Sequence, residues 1–418
     1  MGLLPGPWTP SLLEGAVRLG AWLPFPAASA ALAAFAHTAV AEPTLRRRTE
    51  AAGAAYVAAQ TAAAEHLARA DPAPPAGPAL LQLSVDGAMV PLVGGAWAEV
   101  KTLAIGVVQP PALEAGRPVI HTADLSYFSR LADHEAFARL ALVETHRRGV
   151  ETAGAVVAVS DGAAWAQAFA DHHRPDAIRI LDWCHAAGYL SQVAAACFAA
   201  GGAARWLDAQ LRELLEGDPD VVLGKLRGLR GDLAARAGGA ATPAGAAVAA
   251  ALGYLEPRRA QIAYAQFRAA GYPIGSGAVE SANKLVVEAR LKGAGMHWAR
   301  AHVDGMVALR TVVCGDRWDE AWPQIAAEVR RREAARLQRK RQARRAAATA
   351  APAPLAGAGA GGAGTPACVL ALPTSRHDDT LPRRAAAATA PRAPAPAPPP
   401  RPAPTHPWRR YRQPLPVK

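Results

Sequence analysis

Three carboxylates at the edges of predicted elements are the residues best placed to do chemistry. Asp86 ends the run Leu81-Gln-Leu-Ser-Val-Asp86-Gly87, and Asp161 ends Ala155-Val-Val-Ala-Val-Ser-Asp161-Gly162. Both runs are apolar and β-branched and break at Asp-Gly, the pattern of a buried strand that delivers a carboxylate to a sheet rim. Glu280 lies in Gly275-Ser-Gly-Ala-Val-Glu280-Ser-Ala-Asn-Lys284, a glycine turn opening into a helix. Singly, each has a plainer explanation. An Asp-Gly after a strand is usually a turn, and a glutamate in a first helical turn complements the helix dipole. Together, three hard oxygen ligands converging on one point suit a pair of Mg²⁺ ions, or Mn²⁺ in their place, and phosphoryl transfer. In that scheme Asp86 bridges the metals from the most rigid strand, while Asp161 binds one and Glu280 the other.

The elements that must position these groups follow from periodicity. Strand-like runs cover Leu81–Pro91, Glu99–Val108 and Ile120–Ser129, with Gly94-Gly95 suited to a hairpin between the first two. A helix over Asp133–Arg148, the Asp161 strand, a helix over Ala164–His172 and a strand over Ala177–Asp182 follow. This order, with aspartates on the first and fourth strands, is that of the ribonuclease H-like α/β fold. Its first part spans 79–182, an all-α insertion 183–270, and the last part of the core, with the third carboxylate, 271–329.

Upstream, residues 1–78 read as a separate helical region. Ser11–Leu23 and Pro26–Ala36 predict two helices, and a break at Thr38–Ala41 precedes a third, led by Arg46, Arg47 and Arg48. A tight break with basic residues at the head of the next helix resembles a DNA-binding helix-turn-helix. A helical hairpin with a solvated basic face is the alternative. Asp71–Pro78 is a linker by composition.

Composition narrows the class. The 418 residues carry a formal net charge of +12. Residues 330–418 alone hold +15, leaving the first 329 residues near −3. The polyanion-seeking charge thus sits in a basic helix, Glu320–Arg345, and a tail rich in Ala and Pro that predicts disorder. The four cysteines form no C-x-x-C pair, which speaks against a disulfide framework or a Cys₄ zinc site and fits a reducing cytoplasm. Leu19–Ala41 is uncharged but broken by Pro24 and Pro26, so neither a signal peptide nor a spanning helix is expected.

With these motifs in place, the chain resembles the DDE transposases of bacterial insertion sequences, in the branch related to Mutator-like elements. The matching segments are 83–87, 159–165, 272–284 and 290–298, together with Leu181-Asp182-Trp-Cys-His185. The resemblance covers about residues 8–325. It implies Mg²⁺-dependent cleavage of element-end DNA and joining of the free 3′-hydroxyl to a target, by an assembly that oligomerises on DNA in the cytoplasm, at the nucleoid. It also implies an amino-terminal region shorter than in other members. Related transposases place an Asp or Cys three residues before a histidine here, which nominates His185 as an active-site group oriented by Asp182. Lys284, Arg290, Lys292 and Trp298 are candidates for DNA contact; a salt-bridge partner and a core tryptophan are the plainer readings of Lys284 and Trp298. Two further alternatives are a ribonuclease H-like metal-dependent nuclease and a decayed relative that only binds DNA.

Overall fold

The alternation expected around Asp86 builds a long strand, β1 (Leu80–Pro91). Gly94 and Gly95, at φ of 92° and 85°, turn it back into β2 (Trp97–Val108). A small sheet of β3 (Ala112–Glu114) and β4 (Arg117–Val119) leads to β5 (Thr122–Arg130). After it, β6 (Ala155–Ser160) and β7 (Ile178–Leu181) complete one five-stranded mixed sheet in the order β5-β2-β1-β6-β7. The β1–β2 and β2–β5 pairs are antiparallel, while β1–β6 and β6–β7 are parallel. This computed structural model describes residues 8–114, 117–235 and 242–349. The tail expected to be disordered falls, beyond residue 349, outside the described residues.

Helices cover both faces. Before the sheet come α1 (Pro10–Trp22), α2 (Phe25–Phe35) and α3 (Glu42–Ala70). Between strands run α4 (His134–Arg147), capped by the Asp133 side chain, and α5 (Ala164–His173). Among the described residues only helices follow: α6 (Trp183–Cys197), α7 (Ala200–Glu216), α8 (Pro219–Ala234), α9 (Pro243–Leu255), a 3₁₀ turn Glu256–Gln261, and α10 (Tyr264–Ala269). The chain ends its described part with α11 (Gly277–Ala282), a π-helical turn Asn283–Glu288, α12 (Ala289–Leu291), α13 (Arg300–Cys314) and α14 (Trp318–Thr349). No helix among the described residues is long and apolar enough to cross a membrane.

Strand parity sorts the core. Odd-numbered side chains of β1 and β2, such as Leu81, Leu83, Leu103 and Ile105, pack with Phe137 and Phe169 of α4 and α5 on one face. Even-numbered ones, such as Val90 and Val100, pack on the other face with α1–α3 and α11–α13. On that same face, Val157 and Val159 of β6 join α6, α8 and α9 in a third cluster. Two helical groups therefore share one sheet face and meet at a seam over β1 and β6.

The expected separation of residues 1–78 is corrected. α3 is a 29-residue helix with Leu45, Thr49, Ala52, Ala55 and Tyr56 buried, in the same core as Val286, Val303 and Val307. At Gly53 it approaches α13 so closely that a Cβ would overlap the Gly305 carbonyl. The presumed linker is docked as well: Gly77 N–H donates to Thr152 Oγ1 (2.8 Å) and Gly154 N–H to Pro78 O (3.0 Å). Apolar stripes on both partners, rather than the break at residues 38–41, decide where the first helices go.

Two outcomes follow from this packing. Gly53→Val should destabilise the whole protein by about 1–3 kcal/mol or more, read as the urea midpoint, because two backbones in contact cannot admit a branched side chain. His173 is buried, with Nδ1 3.1 Å from Thr145 Oγ1 and Nε2 unpartnered. Burial, aided by His172, pushes its imidazole down from 6.5 to about 3. The unfolded chain thus binds a proton that the folded one refuses, so stability falls as pH drops through 6.5 toward 3. The loss from this group should reach roughly 2–3 kcal/mol at pH 4.5. A His173→Phe variant should lack that part of the acid slope.

Candidate functional site

The seam on the shared sheet face ends at the carboxylates. β1 and β6 pair in parallel up to Leu83–Ala158, and Asp86 and Asp161 each lie three residues further on. They therefore occupy matching positions, Asp86 within β1 and Asp161 just past the end of β6, nominally about 4.8 Å apart in the ladder direction. Matching positions share a face, so both carboxylates lie on the seam side. Each accepts a bond from the backbone that follows it, Asp86 inside the strand and Asp161 in the turn after β6. Asp86 Oδ1 accepts from Gly87 N–H (2.7 Å), and Asp161 Oδ1 accepts from Ala163 N–H (2.9 Å). Gly162 sits at φ 79°, a left-handed conformation that an L side chain adopts only with strain, so Asp-Gly is demanded by the backbone there.

Glu280 reaches the seam from above. α11 brings Asn283 over β1, where its Nδ2 donates to Asp86 Oδ2 (2.8 Å), while Glu280 Oε1 accepts from Ser276 Oγ (3.3 Å). Asn283 Oδ1 is buried without a partner. Just beyond, Arg310 of α13 donates to Leu285 O and to Val286 O (3.4 Å). Carbonyls drawn to a side chain widen the helical ladder, which accounts for the π-turn at 283–288.

Asp182 ties these parts together. It is 1% exposed, yet it caps α6 by accepting from His185 N–H (3.1 Å), accepts from His185 Nδ1 (2.9 Å), and accepts from Ser276 N–H (2.7 Å). Burial pushes its carboxyl up, but the bonds from His185 and Ser276 outweigh burial and the net shift is downward. His185 is raised, first by its bond to Asp182 and further by Asp161 and Glu280 across the seam. The expectation that Asp182 orients this ring agrees with the geometry: a proton on Nδ1 leaves Nε2 free.

Electrostatics mark Asp86 as the strained carboxylate. Burial raises it most, and Asp161 adds to the rise, against opposing bonds from Gly87 and Asn283. A cation between Asp86 and Asp161 would offset both the cost of burial and their mutual repulsion. The donor set, three carboxylates with no sulfur or imidazole needed, fits a hard divalent ion. Among the described residues no three His, Cys, Asp or Glu side chains stand close enough to hold a metal as placed. Internal partners occupy Asp86, Asp161 and Glu280, and Glu280 must turn from Ser276 to join the other two.

Sequence reasoning missed the brace under Asp161. Tyr254 of α9 donates its hydroxyl to Asp161 O, and Arg258 donates to Gly162 O (2.7 Å). The Arg258 guanidinium lies 4.2 Å over the Tyr254 ring, which stacks in turn on Tyr189 at 4.2 Å. The one signal was Glu256-Pro257-Arg258-Arg259, a proline that breaks the helical stretch and turns two arginines out of register.

The expected DNA contacts divide. Arg290 and Trp298 are corrected to core residues: Arg290 is 2% exposed, bonds Gly20 O (3.2 Å) at the end of α1, and lies between the Phe25 and Trp298 rings. A helix end with unpaired carbonyls attracts a cation, and aromatic faces hold it there. Lys292 pairs with Glu288 (2.7 Å), and Arg48 with Glu333 of α14 (2.7 Å). Arg46 stands 4.0 Å from Glu50. Arg47 and Lys284 are exposed. Compared with protein-family models and with curated proteins, the chain matches none.

Asp182→Ala should lose about 2–4 kcal/mol in denaturant titration, since it orphans a buried N–H and uncaps a helix. His185→Ala, at an exposed ring, should lose less than about 1 kcal/mol. Equal losses would show that Asp182 does not hold the seam closed.

Proposed function

We propose that this chain is a metal-dependent phosphoryl-transfer enzyme acting on DNA, a transposase of the DDE type with a ribonuclease H-like core interrupted by an all-α insertion. The observation that carries the reading is the placement of Asp86 and Asp161 at matching positions of adjacent parallel strands, with the Glu280 helix bonded to Asp86 through Asn283. The strand order β5-β2-β1-β6-β7, three antiparallel strands followed by two parallel ones, supports it. So does the helical stretch between the second and third carboxylates.

Asp86, Asp161 and Glu280 would hold Mg²⁺, which when bound neutralises charge on the phosphate and activates the attacking oxygen. The protein's own groups do the rest. Asn283 fixes the rotamer of Asp86, Tyr254 and Arg258 fix the Asp161 turn, and Asp182 holds the His185 proton on Nδ1. The raised His185 favours an imidazolium, which can donate from Nε2 to a phosphate oxygen or to the departing 3′-oxygen. Strand transfer would reuse the same pocket with a DNA 3′-hydroxyl in place of water. Lys284, exposed one turn beyond Glu280, is suited to flanking phosphate.

Asp86→Asn, Asp161→Asn and Glu280→Gln should each reduce Mg²⁺-dependent nicking of DNA by about 10²–10⁴-fold, several kcal/mol of barrier. Their affinity for duplex should stay close to that of the unsubstituted chain. Near-normal cleavage by Asp86→Asn would overturn the assignment. Cleavage without any joined product, on substrates bearing candidate element ends, would reassign the pocket to a nuclease of the same fold.

A further inference from the structure

Between α3 and α14 runs a cleft of about 640 Å³ whose floor is Leu13 and the alanines of α3. Its walls carry Arg47, Arg48, Arg332, Arg336 and Lys340 against one carboxylate, Glu333. Pairing inside the cleft is incomplete. Arg48 and Glu333 clamp the two helices together, and Arg332 bonds Glu328 (2.8 Å). Arg47 reaches only the Thr44 hydroxyl (3.2 Å). Arg336 and Lys340 have no hydrogen-bond or ion-pair partner among the described residues.

Helical spacing puts Arg332, Arg336 and Lys340 on one face of α14, a row about 12 Å long. Past the cleft, Arg339, Arg341 and Arg344 continue exposed, and no Asp or Glu occurs between residues 334 and 345. Like charges one turn apart destabilise a helix, so counter-charge from outside would stabilise this row. The chain's own residues 350–418 do not supply it, since they hold nine Lys/Arg and two Asp. A small anion would engage one or two of these cations, whereas the row runs on beyond the cleft in a line.

We propose that the α3–α14 cleft and the exposed length of α14 form a sequence-independent track for the phosphate backbone of duplex DNA, distinct from the carboxylate pocket. It rests on the proposed function only in the choice of DNA as the polyanion. Arg47 is then a backbone contact rather than a reader of bases, and the clamp by Arg48 sets the width of the track.

The test measures affinity of the full chain for a random-sequence duplex by fluorescence anisotropy, in EDTA, across a salt series. The triple variant Arg47→Ala/Arg336→Ala/Lys340→Ala removes three exposed side chains and leaves the core untouched. It should lower the slope of log affinity against log salt by about 2–3, near 0.9 per lost phosphate contact. The control Arg205→Ala/Arg212→Ala/Arg230→Ala, exposed arginines of α7 and α8, makes the same net-charge change. It should shift the slope by less than about 1. Arg47→Lys/Arg336→Lys should keep the original slope. Equal slopes for the two alanine triples overturn the track. So does polyglutamate that binds the unsubstituted chain, but not the first triple, more tightly than duplex; that result assigns the cleft to an acidic protein segment. No metal or turnover enters the measurement, so carboxylate variants that still cut DNA would sink the catalytic reading and leave this result standing.

Discussion

The buried Asp182 carboxylate is the constraint on which the candidate site depends. A charge removed from water is expensive unless hydrogen bonds replace the lost solvent, and three donors do so here: His185 N–H, His185 Nδ1 and Ser276 N–H. Those donors come from two different stretches of chain. Its own backbone adds a third, through Asp182 N–H to Ser160 O (2.7 Å), next to Asp161. One residue, by its side chain and its own N–H, therefore links the end of β6, the start of α6 and the turn that launches α11. The cost of burying it forces the three to stay together.

The seam is a place where two helical groups fail to merge. Large apolar side chains fill the clusters under β1–β2 and β6–β7, but between them β1 presents Gln82, Ser84 and Asp86 on the shared face. Gln82 bridges the gap by donating to Gly275 O (3.1 Å) and accepting from Thr122 Oγ1 (2.5 Å). A polar row inside a sheet is stable only when each member is satisfied, and its last member, Asp86, is satisfied by Asn283. Asp86 and Asp161 are thus each held by neighbours that contribute one bond, while Glu280 is turned toward Ser276.

Basic residues play two opposite parts. Arg290 and Arg310 are buried, bonded to carbonyls at the end of α1 and in the π-turn, and lowered by the cost of burial, Arg290 to about 10. They join the amino-terminal helices to the segment that carries Glu280. The arginines of α14 remain at the surface. The same residue type is structural where helix ends leave carbonyls unpaired and stays at the surface where it pairs only with a neighbouring carboxylate or faces solvent.

Much of this was legible in the sequence because it depends on local pattern. Alternating or unbroken apolar runs marked the strands of the main sheet to within about two residues, though not the small β3–β4 sheet, and Asp-Gly marked the turn after β6, whereas β1 runs on through Asp86-Gly87 to Pro91. The spacing Asp182–His185 also predicted its own hydrogen bond, since three residues at a helix start bring cap and ring together. What the sequence could not decide was which distant surfaces meet. Arg290 and Trp298 carry the same signature whether they face DNA or the core, and only the docking of α1 and α2 buried them. Residues 1–78 look detachable until Gly53 is seen against Gly305. Tyr254 and Arg258 are more than ninety residues from the Asp161 turn they hold, and no local rule connects them. Periodicity fixes which face of an element is apolar; the partner that covers that face, and so the final place of each charge, is chosen by packing across the whole chain.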